Sequence, residues 1–168
     1  LLQYLKDPNV GTATVFISHA CKQNFLQVVD ALATHFKDTP DVFVWFSSFS
    51  NNQHLTPNLP FEWFTSTFKS AIQDFGHTVM VLAPWNDPIP FTRAWCLFEI
   101  YSTVITKSTF EVAMSEVERS RFIEEACEDA DLFHKMLGTI DVKKSQSWKP
   151  DDLARILEVA EKEVGLEE

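Results

Sequence analysis

Glycine is scarce in this chain: of 168 residues only Gly11, Gly76, Gly138 and Gly165, all far apart. That excludes a phosphate loop of the Walker or dinucleotide type, which clusters glycines to bring backbone N–H groups onto phosphate. Cysteine is equally sparse. Cys21, Cys96 and Cys127 are odd in number and show no metal or redox spacing, which points to a reduced, intracellular protein. Basic charge is in deficit, with 14 Lys and Arg against 24 Asp and Glu, a formal net charge of −10. With no basic patch, such a chain repels nucleic acid, which is excluded as a partner. The longest apolar run, Thr78 to Trp85, falls well short of a membrane span, and nothing reads as a signal peptide. The expectation is a cytoplasmic protein with no membrane partner. The start at Leu1 without an initiator Met suggests a piece of a longer protein. His35, His54, His77 and His134 lack helical metal-ligand spacing, so no metal site is expected.

What is present is apolar and patterned. Hydrophobic residues make up 45% of the chain, and its length suits a single domain over residues 1–168 with a core of its own. Residues 1–110 carry 8 acidic and 6 basic side chains, whereas 111–168 carry 16 and 8. The first two-thirds is therefore nearly neutral, and the acidic last third reads as solvated helical surface.

Short apolar runs alternate with helical patterns. Ala13 to Ile17, Asp41 to Phe46 and His77 to Leu82 read as strands, with Phe110 to Met114 a fourth and Thr139 to Val142 a weak fifth. Phe25, Val28, Val29, Leu32 and Phe36 recur at helix spacing. A second helix covers Phe61 to Asp74, with Trp63, Phe64, Phe68 and Ile72 on one side and Gly76 as its stop. Thr92 is positioned to cap a third, running to about Thr106. Ser115 and Glu118 fit a capping box before a long acidic helix to about Leu137. Pro150, Asp151 and Asp152 open the last helix, whose inward residues are Leu153, Ile156, Leu157, Ala160 and Val164. This alternation predicts an α/β, flavodoxin-like three-layer sandwich around a five-stranded parallel sheet of order 2-1-3-4-5.

In such a sheet, ligands bind beyond the carboxyl ends of the strands where the strand order reverses, here between strands one and three. Ser18, His19, Cys21, Lys22 and Asn24 follow strand one; Trp85 and Asn86 follow strand three; the polar stretch Phe46 to His54 follows strand two. The helix from Thr92 is unusual because Glu99 is its only carboxylate, on an otherwise apolar surface and one turn from Trp95. Desolvation there raises the pKa of a carboxylate and suits it to act as an acid, a base or a hydroxyl acceptor. The alternative is a Glu99 that points to solvent or caps a loop. Arg93, the only arginine in the first 110 residues, sits at a helix start suited to phosphate, or pairs with Asp87. Cys96 reads first as a small buried hydrophobe, and Trp95 first as packing. His19 reads equally as a ligand contact or as a strand-end histidine satisfied by backbone.

Three stretches resemble the Toll/interleukin-1 receptor (TIR) domain family, in its plant and prokaryotic type. Val15-Phe-Ile-Ser-His19 resembles the family's first box. Thr92-Arg-Ala-Trp-Cys-Leu-Phe-Glu-Ile100 is similar to its Trp-Cys-x-x-Glu helix, and Phe68-Lys-Ser-Ala-Ile72 to its Ala-Ile helix end. The resemblance covers roughly residues 11–115; the chargeless loop Phe46 to His54 departs from the family's acidic, Gly-bearing one. The resemblance implies cleavage of NAD at the nicotinamide–ribose bond, to linear or cyclic ADP-ribose, in stress or immune signalling. It makes Glu99 the catalytic residue. Ser18, His19, Lys22, Phe46, Trp85, Arg93, Trp95 and Cys96 become the surroundings of NAD, which is a substrate rather than a cofactor. It implies as well self-association with other TIR-like domains, which in a non-catalytic adaptor is the whole function. A deoxyribosyltransferase-like enzyme, which also sets a carboxylate against ribose, is a more distant alternative.

Overall fold

The computed structural model describes residues 8–164. Four parallel strands form the sheet: β1 (Val15–Ser18), β2 (Val44–Phe46), β3 (His77–Val81) and β4 (Thr109–Ala113), in the order 2-1-3-4. Residues alternate across it as the pleat requires. Val15, Ile17, Val79 and Val81 face helix α1 (Phe25–His35) and pack with Val28 and Ala31. Phe16 faces the other way, onto α3 (Phe61–Phe75), α4 (Ala94–Ile105) and α7 (Pro150–Val164), where it meets Phe68, Ile72, Phe98 and Ile156. With both faces covered, β3 is buried over four of its five residues, which explains its nearly continuous apolar sequence. The result is a flavodoxin-like α/β arrangement. Among the described residues no helix is long and apolar enough to cross a membrane.

The predicted fifth strand does not form, and among the described residues the sheet stops at β4. Asp141 takes the amide of Lys143 at 3.0 Å and folds Val142–Lys144 into a 3₁₀ turn, so the short β-branched run never extends. The long acidic helix is likewise two helices, α5 (Glu116–Glu128) and α6 (Asp131–Gly138). Asp129 breaks it: its carboxylate accepts from the Asp131 amide at 2.9 Å and pairs with Lys135 at 2.8 Å.

Other boundaries follow their local chemistry. Gly76 ends α3 in the left-handed region (φ 64°), its N–H bonded to the Ile72 carbonyl at 2.9 Å. Ser115 caps α5 through the Glu118 amide, but Glu118 completes no box: its carboxylate accepts the Trp85 amide at 2.9 Å instead. Thr92 does not cap α4. Its hydroxyl closes the preceding 3₁₀ turn on the Ile89 carbonyl, and the Ala94 amide is satisfied from afar by the Gln146 carbonyl at 3.0 Å. On α1, Phe25 and Val29 are exposed rather than inward, because the helix turns Val28 and Ala31 to the sheet. Ser47–Ser50, expected as loop, is one helical turn, α2. The side chain of Val164 lies outside the described residues.

Candidate active site

Ser18 is the last residue of β1 and shares the face of Phe16, so its side chain points at α4. α4 descends from the carboxyl end of β3, and its second turn brings Glu99 to the same place. The Ser18 hydroxyl lies 2.5 Å from Glu99 Oε2, with Ser18 wholly buried and Glu99 7% exposed. The helix behind Glu99 is pinned as well: Thr103 Oγ1 lies 2.7 Å from the Glu99 carbonyl and 2.9 Å from Thr78 Oγ1 of β3. The pair sits at the carboxyl edge, between strands one and three, where the sheet order reverses.

Burial pushes the Glu99 carboxyl up to about 8, against the Ser18 bond, which favours the ionised form. The resting site therefore holds a proton at neutral pH. Cys96, one turn earlier, is buried with its thiol 3.5 Å from the His19 carbonyl. Burial, and then the charge of Glu99, hold that thiol well above its ordinary value, so it is no thiolate nucleophile.

His19 leaves the sheet on the opposite face from Ser18. Its ring stacks on Phe46 of β2, with centroids 4.2 Å apart and planes 13° from parallel. Burial lowers its pKa, which keeps the imidazole neutral, and Nε2 is buried without a hydrogen-bond partner. Phe46 in turn meets Phe49 of α2 at 5.4 Å and Phe25 of α1 at 6.3 Å.

Lys22 is tied to the backbone segment that carries Arg93 by a residue that sequence reasoning missed. Gln146 accepts from Lys22 Nζ at 3.3 Å, and its backbone pairs with Thr92 and Ala94 on either side of Arg93. Gln23 was missed too. It accepts the Ala20 amide at 2.9 Å and donates to the Val81 carbonyl at 3.1 Å, tying the loop after β1 to the end of β3. A long amide inside the β1 loop was a readable signal; Gln146, 124 residues from Lys22, left none.

The two tryptophans go elsewhere. Trp85 is fully buried against α5, its ring 5.1 Å from Phe122. Trp95 lies on α4 but packs among Phe61, Phe64, Phe68 and Phe98, and its indole N–H bonds Asp152 at 3.0 Å. Two shallow surface hollows of about 500 and 410 Å³ run along α5 and α3, and Glu99 opens into neither. Among the described residues no group of three His, Cys, Asp or Glu side chains is placed to hold a metal ion. A single buried carboxyl with a hydroxyl on it can hold a cation or accept from a sugar hydroxyl. No family model matches the chain, and neither does any curated protein or solved structure.

Proposed function

We propose that this chain is a TIR-like NAD glycohydrolase that works in the cytoplasm and splits the nicotinamide–ribose bond with Glu99. The observation that carries the reading is the Ser18–Glu99 pair, a lone desolvated carboxyl at the strand-order reversal. The pyridinium nitrogen of NAD is already cationic, so the bond electrons pass to it and nicotinamide leaves neutral without a general acid. The ribosyl group is left as an oxocarbenium-like cation, as in glycoside cleavage. Glu99 first releases its proton to solvent, stabilises that cation as the carboxylate, and then takes up the proton of the water or ribose hydroxyl that adds at the anomeric carbon. With water, the products are nicotinamide, linear ADP-ribose and one proton; attack from within the adenine nucleotide instead gives a cyclic product. Ser18 orients the carboxylate, and Lys22 and Arg93 offer charge for the pyrophosphate.

Incubation of the purified chain with NAD tests the reading. Nicotinamide release is expected from the wild type and is expected to fall about 100-fold or more in Glu99→Gln. Equal turnover in the variant removes Glu99 from the mechanism.

One observation favours a second reading, a TIR-type adaptor acting by self-association. Phe25, Leu26, Val29 and Phe49 are 51, 74, 44 and 64% exposed, and Phe25 and Phe49 lie 6.1 Å apart beside Phe46. Such an apolar surface serves assembly. Concentration-dependent light scattering that disappears in Leu26→Glu, with no loss of NAD, is its signature.

A further inference from the structure

Exposure separates the last two strands of the sheet. β3 is buried over four of its five residues, whereas β4 is exposed over four of five, Thr109 through Val112. Parallel strands ordinarily lie covered, so exposure along nearly a whole strand marks a place where the sheet stops short. β4 ends the order 2-1-3-4, and among the described residues no strand lies beyond it.

The backbone shows which groups are left over. The Thr109 N–H bonds the Gly76 carbonyl and the Ala113 carbonyl takes the Leu82 N–H, both at 2.9 Å, so these residues turn their amide groups to β3. Alternation along the strand sends Glu111 the same way, and Phe110 and Val112 the other. The N–H and C=O groups of Phe110 and Val112 form an open row, which no other backbone group among the described residues meets. Such a row is a template for one more strand.

The side chains specify the chemistry of that strand. Phe110 and Val112 stand beside Thr78 and Met80, on the α4 side of the sheet, and are still 40 and 37% exposed; Val104 of α4 is exposed in the same layer. Glu111, beside Val79, turns to the α1 side, where its Oε2 meets His77 at 2.8 Å and His35 at 3.2 Å. Those contacts, that of His77 first, hold its carboxyl below the ordinary value, so it stands ionised. A complementary strand is therefore apolar toward Phe110 and Val112 and cationic beside Glu111, which a period of two supplies at once. The last third of the chain, with 16 acidic and 8 basic side chains, adds to the attraction for a cation. A second copy, of net charge −10, brings the wrong sign.

We propose that the outer edge of β4 docks an extended segment of a partner protein, in which β-branched residues alternate with lysine or arginine, and which adds to the sheet as its fifth strand. The edge lies on the far side of β3 from Ser18, so the proposal stands apart from the chemistry assigned to Glu99.

Calorimetry and amide hydrogen exchange of the intact chain, with a blocked peptide of alternating valine and lysine long enough to span β4, test it. The peptide is expected to bind and to slow exchange at the Phe110 and Val112 amides, leaving those of Thr109 and Glu111 as they were. A peptide with the same lysines in one block, and one of alternating valine and glutamate, are expected to bind more weakly. Val112→Pro removes an outward N–H where edge strands tolerate proline, and is expected to weaken the peptide about ten-fold, with the thermal midpoint as folding control. On the unaltered chain, N-methylation of the peptide makes the same test: binding is lost on methylating the valines in antiparallel addition, or the lysines in parallel addition. Absence of binding at millimolar concentration, full binding by both methylated peptides, or protection that bypasses Phe110 and Val112 overturns the proposal. Equal binding of the glutamate peptide overturns the cationic assignment. A dimer of the chain alone that Val112→Pro disperses gives the edge to a second copy and overturns the partner segment.

Discussion

The hydroxyl of Ser18 and the carboxyl of Glu99 meet at 2.5 Å across 81 positions of sequence, one at the end of a strand and the other in the second turn of a helix. Both are buried, so the contact is part of the core as well as of the candidate site. That double membership has a thermodynamic consequence.

A carboxyl whose folded pKa is about 8 binds a proton that the unfolded chain, near 4.5, has already lost. Stability is therefore full below the unfolded value, falls as pH rises between the two, and stays low above 8. Glu99→Gln carries no such proton. Its stability in urea is expected to match the wild type near pH 4 and to exceed it by a few kcal/mol at pH 8. A constant difference across that range contradicts the burial of an ionisable Glu99.

Cys96 is buried with a raised thiol pKa, whereas Cys21 and Cys127 are exposed. An alkylating reagent at neutral pH is expected to label two thiols in the native chain, and the third only after denaturation, as mass spectrometry reads directly. Rapid labelling of Cys96 in the native chain contradicts its place behind His19.

Trp95 is a candidate wall for the substrate by resemblance, but its ring contacts belong to the α3–α4 packing. Trp95→Ala is expected to cost about 3 kcal/mol in chemical denaturation, the usual scale for emptying such a site. A stable variant with a raised KM for NAD contradicts this and returns Trp95 to the pocket.

What could be read from the sequence was what local chemistry decides. The four strands, the Gly76 stop and the Ser115 cap depend on residues within a few positions, and each forms, though β1 and β2 start later than expected, at Val15 and Val44 rather than at Ala13 and Asp41. The lone carboxylate of α4 could also be singled out, from the apolar run around it. The fifth strand failed because Asp141 takes a nearby amide, a competition that β-branching alone does not reveal. Trp85 was misread for a different reason: its direction is set by Phe122 and Glu118, more than 30 residues later. The Gln146 clamp is a product of tertiary structure, with no periodic or compositional trace.

The pH dependence of kcat/KM for nicotinamide release from NAD, in wild type and Ser18→Ala, tests the role of the Ser18–Glu99 pair most directly. If the ionised Glu99 does the work, the wild-type profile rises with pH and levels off above about 8, the value of the free carboxyl. Removal of the Ser18 hydroxyl takes away the bond that favours the ionised form, so the inflection moves to higher pH. A flat profile, or an inflection that ignores Ser18, contradicts it.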